Sequence, residues 1–166
     1  MSAVLACVAP VSFSQLVERS WLVGEFVVES SVSRWTDDHH TIYTRVTFKP
    51  VDLIKGKLEL PQLKLEFEGG TVDGEGIVSS VGVSFTEGET VILFVDEAPG
   101  VCPLVGCYQG KFTVQRDPVT GMETVVHGGF GHQGRAPGSP QPRPDPPSVS
   151  KDEFKANIRA LLRPSE

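Results

Sequence analysis

The chain has 166 residues, of which 39% are apolar and 22% are charged, and its formal net charge is −6. This length predicts one domain, or one domain with an appendage, and the composition is that of an ordinary globular protein. The negative charge would repel a phosphate backbone, and no segment gathers basic residues beside aromatic ones, so no nucleic acid partner is expected. No apolar run approaches the roughly 18 to 20 residues that span a bilayer, so we predict no transmembrane segment.

Residues 1–11 are predicted to be a leader remnant or a disordered end. They are apolar but lack a basic start, and they are short for a complete signal peptide. The sequence of residues 4–7, VLAC, loosely resembles a lipoprotein cleavage box, so an acylated Cys7 is an alternative.

Residues 12–127 are predicted to form a mainly β, antiparallel domain. Ser12 and Gln15 make a capping box that begins a short helix over 13–19. Seven segments after it carry the alternating or β-branched pattern of strands: 21–32, 42–49, 63–68, 77–83, 90–95, 108–114 and 122–126. The most apolar of them, 90–95, is predicted to be a central strand buried on both faces. Many short strands with only terminal helices favour a small barrel or sandwich over an α/β sheet.

The C-terminal part is predicted to be a tethered helix. Residues 128–148 are rich in glycine and proline, which is typical of a linker. In residues 149–166, Ser150 and Glu153 make a second capping box, and an apolar stripe follows that contains Phe154, Ile158 and Leu161. A helix this short needs a docking surface, which is either the β-domain or a partner.

Cys102 and Cys107 enclose four residues and could face each other across a tight turn, provided that their Cα atoms come within ~7 Å. A disulfide there would suit an oxidising compartment. The alternative is a pair of buried thiols that pack like small hydrophobic side chains.

No catalytic residue, metal site or cofactor is predicted. Residues 37–40 are Asp-Asp-His-His, but neighbours in an extended chain point to opposite sides, so at most about two could share one ion. A solvated hairpin tip is the preferred interpretation. His127 and His132 could approach each other, yet no third ligand is visible near them. The alternative is a metal-dependent hydrolase that uses His39, His40, His127 or His132.

Five residues are predicted to bind a partner. Large, rigid aromatic side chains dominate interface energies, which selects Trp35, just before the polar turn, and Tyr43, just after it. The apolar stripe of the C-terminal helix adds Phe154, Ile158 and Leu161.

The order of features between residues 15 and 114 resembles the netrin-like domains, which include the tissue inhibitors of metalloproteinases and similar secreted bacterial proteins. The segments that carry the resemblance are 20–26 (SWLVGEF), 43–48 (YTRVTF), 51–56 (VDLIKG) and 88–94 (GETVILF). The resemblance implies a small barrel of the oligonucleotide/oligosaccharide-binding (OB) type that is used for protein contacts. The inhibitors of that family act through an amino-terminal Cys-x-Cys, and Cys7 lacks the second cysteine, so inhibition by that route is not expected.

These observations together predict an extracytoplasmic, non-enzymatic module that binds an unidentified protein partner. Besides the metal-dependent hydrolase, a second alternative is a structural tether that works through the helix at 151–163.

Overall fold

The computed structural model describes residues 10–78, 83–97, 102–127 and 149–163. Within these ranges the chain is mainly β, with two α-helices and nine strands. The helices are α1 (Phe13–Arg19) and α2 (Lys151–Leu162), and a short 3-10 helix covers Cys107–Gly110. Neither α-helix is long and apolar enough to cross a membrane.

The strands form one large antiparallel sheet and one small hairpin. They are β1 (Ser20–Trp35), β2 (Ile42–Lys55), β3 (Leu63–Glu68), β4 (Gly70–Val72), β5 (Glu75–Ile77), β6 (Thr90–Asp96), β7 (Lys111–Arg116), β8 (Glu123–His127) and β9 (Val149–Ser150). Seven of them join in the order β3-β2-β1-β6-β7-β8-β9, and β4 pairs with β5. The predicted mainly β, antiparallel fold is confirmed. The described strands run from one edge at β3 to the other at β9 without closing, so a closed barrel is not confirmed.

Several predicted elements match the structure and one does not. The first helix covers the predicted residues, and both halves of the capping box at Ser12 and Gln15 are present. The prediction that a strand begins at Tyr108 is wrong, because the left-handed Gly106 turns the chain into the 3-10 helix and the strand starts only at Lys111. Residues 1–9 of the predicted leader, the linker at 128–148 and part of the predicted strand at 77–83 lie outside the described residues.

Strand β1 is long and bent. Its pairing register with β2 shifts at three places between Val23 and Ser30, and such bulges bend a strand and increase its twist. The strand pairs with β2 from Val23 to Trp35 but with β6 only from Ser20 to Val27. The second half of β1 therefore extends beyond β6, with β2 and β3 on one side.

The central strand β6 separates two apolar clusters, which confirms the prediction for residues 90–95. Val91, Leu93 and Val95 face one cluster, and Ile92 and Phe94 face the other. The first cluster also contains residues of β1, β2 and β3, and the second contains residues of both helices.

Both α-helices cover the second cluster. Phe154 of α2 lies with its ring centroid 5.5 Å from Phe13 of α1 and 4.8 Å from Phe112 of β7. In the structure α2 is therefore docked on the β-sheet of its own chain, which is one of the two docking surfaces predicted for it.

Gly69 and Gly70 carry the chain from the end of β3 into β4. Gly69 donates a hydrogen bond from its amide to Ile42 O (2.7 Å), and its carbonyl accepts one from Thr44 Oγ1 (2.6 Å). At Gly70 φ is +137°, and a Cβ atom there would lie 2.3 Å from Thr44 Oγ1 and 2.5 Å from Ser33 Oγ. Only glycine fits this approach.

We expect the substitution Gly70→Ala to lower the free energy of unfolding by about 2 to 3 kcal/mol, because it adds a steric clash to an unfavourable φ. The matched control is Gly74→Ala, where φ is +83° but no atom lies within 4 Å of the added Cβ. Urea titration of the two variants separates the clash from the backbone strain. An equal loss of unfolding free energy in both variants would show that the surroundings of Gly70 are not tightly packed.

Candidate functional site

The candidate site is an open groove on the solvent side of the β1–β2–β3 extension. Its volume is about 270 Å³. We call it the outer groove, and its lining residues are Ser30, Val32, Arg34, Trp35, Thr36, Tyr43, Arg45, Thr47 and Glu66.

The outer groove follows from strand alternation and register. Successive side chains of a strand point to opposite faces, so the even-numbered residues of β1 from 30 to 34 share one face. The register sets Arg34 opposite Tyr43 and Val32 opposite Arg45, and Arg45 in turn lies opposite Glu66 of β3. On β2 and β3, the neighbours Val46, Leu65 and Phe67 belong to the first cluster on the other face.

Two large hydrophobic side chains of the outer groove are exposed to solvent. Val32 is 48% exposed and Tyr43 is 42% exposed, although both lie on strands with buried neighbours. Trp35 is half-buried and stands at the end of β1. The two predicted aromatic anchors of the β-domain are therefore brought together in one groove.

The outer groove carries an excess of positive charge. Arg45 contacts Glu66 through Nη2 (2.6 Å) and Nε (3.0 Å), and both side chains are more than half exposed. Arg34 is exposed and takes part in none of the ion pairs among the described residues. Two arginines and one glutamate give the groove a formal charge of +1 on a chain whose net charge is −6.

The polar turn at 36–41 holds Trp35 in place. The hydroxyl of Thr36 and the amide of His40 donate hydrogen bonds to Asp38, and these hold the pKa of that carboxyl below its usual value. His39 adopts a left-handed φ of +55°, and its ring centroid lies 5.9 Å from that of Trp35. Asp38 and His39 thus stabilise the conformation of the turn.

The histidines named for a hydrolase are not gathered into a metal centre within the described part of the chain. His127 lies on β8 with its ring centroid 4.9 Å from Phe112, and His39 lies against Trp35. Among the described residues no group of three or more histidine, cysteine, aspartate or glutamate side chains could hold a metal ion. His132 lies outside the described residues.

The predicted binding residues of α2 are divided between core and surface. Phe154 is 7% exposed and Ile158 is 0% exposed, and both belong to the second apolar cluster. Leu161 is 46% exposed. Of the three, only Leu161 presents a substantial surface to a partner while α2 is docked.

A network of charged side chains fixes α2 to the sheet. No local pattern in the sequence predicts it. Its centre is Glu25 of β1, which is only 3% exposed and lies among apolar strand residues. Lys155 contacts both Glu25 and Asp52, the latter at 3.0 Å, and Lys151 lies 3.2 Å from Glu25. Two further contacts complete the network: Lys151 with Glu123, and Arg159 with Asp52 at 3.1 Å.

The charge network is fully paired and leaves no group free for chemistry. The hydrogen bond from Lys155 lowers the pKa of Asp52 below its usual value. Burial lowers the pKa of Lys151, but the hydrogen bonds to Glu123 and Glu25 outweigh that effect and raise it. In the described part of the chain no buried side-chain nitrogen or oxygen lacks a partner. The network therefore fits a structural role.

The predicted cysteine pair is present as two thiols. Cys102 is buried in the first apolar cluster, and Cys107 is half-buried and packs against that cluster. Burial raises the pKa of Cys102 to about 12. Neither side chain is therefore an activated nucleophile.

Comparison with known proteins gives no assignment. No family model, no curated protein and no solved structure matches the chain. The resemblance to netrin-like domains is thus left as a prediction, and the function has to be inferred from the site.

Proposed function

We propose that the chain is a non-enzymatic, extracytoplasmic module that binds a protein partner through the outer groove. The observation that carries this proposal is the joint placement of Trp35, Tyr43 and Arg34 in one groove, where Arg34 forms no ion pair with any described residue. Aromatic and arginine side chains are the residues that contribute most to the energies of protein interfaces.

The expected ligand is an extended peptide segment of the partner in which acidic and large apolar side chains alternate. The guanidinium of Arg34 can donate two parallel hydrogen bonds to a carboxylate. The rings of Trp35 and Tyr43 offer an apolar surface beside it, and strand-like alternation would present both side-chain types to the groove. The overall charge of −6 disfavours a nucleic acid as the occupant.

We also propose that the sheet is of the OB-like, netrin-like type. A barrel of this type needs a strongly bent strand that serves two neighbours. Strand β1, with its three register shifts and its pairing to both β2 and β6, supports this proposal. An extracytoplasmic location agrees with the family resemblance and with the cysteine pair.

The test is a titration of the isotope-labelled protein with blocked synthetic peptides, followed by amide NMR spectra. One peptide alternates glutamate with leucine, and a matched peptide has lysine in place of glutamate. We expect the acidic peptide alone to shift the amides of β1 and β2 that line the groove. The substitutions Arg34→Gln and Trp35→Ala should each weaken its binding by about tenfold or more, which corresponds to 1.4 kcal/mol or more.

The matched control is Arg116→Gln, because Arg116 is also an exposed arginine on a strand but lies on β7, away from the groove. The binding constant of Arg116→Gln should equal that of the wild type, and the urea midpoints of the two arginine variants should be unchanged. Binding that is unaffected by Arg34→Gln, or shifts confined to other strands, would refute the groove as the site.

A further inference from the structure

The segment that carries Cys102 and Cys107 is folded back tightly against β6. Two backbone hydrogen bonds join it to β6: Asp96 N to Pro103 O (2.8 Å) and Val105 N to Phe94 O (2.9 Å). A third, Cys107 N to Leu104 O (3.0 Å), closes a turn within the segment, so the chain turns back between the two cysteines.

The backbone at Cys107 is in a conformation that cysteine rarely adopts. Gly106 and Cys107 are both left-handed, with φ of +62° and +56°. Glycine takes this region without cost, whereas a residue with a Cβ atom is strained there. Such strain persists only where the surrounding structure determines the conformation. Here the Cys107 side chain packs against the apolar cluster to which Cys102 belongs.

Both cysteines lie at the same apolar cluster. Cys102 is a member of that cluster with 5% exposure, and Cys107 packs against it. Burial raises the pKa of both thiols, so they are protonated at neutral pH and neither is poised to attack a substrate.

We propose that Cys102 and Cys107 are the site of an intramolecular disulfide that forms when the chain folds in the presence of a disulfide donor. Because the folded pair is buried and protonated, the bond forms during folding, while the thiols are still accessible. In the first step a protein thiolate attacks the donor disulfide and expels one donor thiolate. In the second, the other protein thiolate attacks the mixed disulfide and expels the remaining donor thiolate. The two protein sulfurs are oxidised, the donor disulfide is reduced to two thiols, and the two protons leave with them.

The bond would fix a loop that also anchors the amino-terminal helix. Gln109, just after the pair, accepts a hydrogen bond at Oε1 from the amide of Val11 (2.7 Å), immediately before the cap of α1. Closing the loop removes conformational freedom from the unfolded chain, so the oxidised protein should be the more stable form. This inference is independent of the outer groove.

The test is refolding of the Cys7→Ser variant, which removes the third cysteine, in a buffer of oxidised and reduced glutathione. The product is unfolded without reductant, treated with iodoacetamide and weighed intact. We expect no alkylation and a mass 2 Da below that of the reduced chain. Peptide mapping should give one linked peptide that contains Cys102 and Cys107. Reductant should lower the melting temperature of this protein by several degrees.

The test has two controls, which are a further cysteine variant and a second preparation of the protein. The further substitution Cys107→Ser should abolish both the mass difference and the effect of reductant on melting. The same mapping is applied to the wild-type chain exported to a bacterial periplasm, so that a failure to refold does not prevent the measurement. Two alkylated thiols at Cys102 and Cys107 in folded protein from that oxidising compartment, or a bond from either one to Cys7, would overturn the proposal.

Discussion

The substitution Lys155→Met is expected to lower the free energy of unfolding by about 3 kcal/mol, because it leaves a buried carboxylate with too little compensation. Glu25 is 3% exposed and takes its main contact from Lys155, which is itself 7% exposed. Lys151 still reaches Glu25 at 3.2 Å, which keeps the loss at the lower end of the range for a broken buried pair. Equilibrium unfolding in urea, followed by circular dichroism, measures the change.

Two further variants show whether burial of the charge is the cause. In the double variant Glu25→Met with Lys155→Met, both members of the central pair become apolar, so stability should return to within about 1 kcal/mol of the wild type. Lys151 then retains Glu123, and Asp52 retains Arg159. Arg159→Met, which removes a half-exposed pair, should cost less than about 1 kcal/mol. A double variant no more stable than Lys155→Met would contradict the explanation.

The parts of this fold that the sequence predicts are those determined by short-range patterns. The capping box at Ser12 needs only the side chain three residues later, and the central position of β6 follows from an unbroken apolar run. The partnership of Glu25 with Lys155 spans 130 positions in the chain, and no local pattern encodes it. A single glutamate within an apolar strand, and two lysines four residues apart on a capped helix, are the signals that could have suggested it.

The candidate site could be predicted in part for the same reason. The chemistry of tryptophan and tyrosine selects Trp35 and Tyr43 as anchors one at a time. Their placement in one groove depends on the register in which Arg34 lies opposite Tyr43, and this register is set by the turn at 36–41. Arg34 was missed because an exposed arginine is unremarkable in sequence. It becomes informative only when the ion pairs of its neighbours are known.

The second large effect is expected at Phe154, where substitution by alanine should lower the free energy of unfolding by about 3 to 5 kcal/mol. The ring lies within 4.8 Å to 6.4 Å, centroid to centroid, of Phe112, Phe13 and Phe94. Removing it leaves a cavity where α2, α1 and the sheet meet. Such a loss is a large fraction of the stability of a typical domain, and urea unfolding would show it as a much lower midpoint.

The matched control is Leu161→Ala on the same helix, whose side chain is 46% exposed. Its cost should be within about 0.5 kcal/mol, because alanine favours the helix and little packing is lost. The pair of variants also distinguishes a docked helix from a tether. If α2 worked as a tether that leaves the sheet to reach a partner, the two substitutions would have similarly small effects on the unfolding of the β-domain. A large effect at Phe154 alone means that the apolar stripe is part of the core, and that a partner reaches only the Leu161 side of α2.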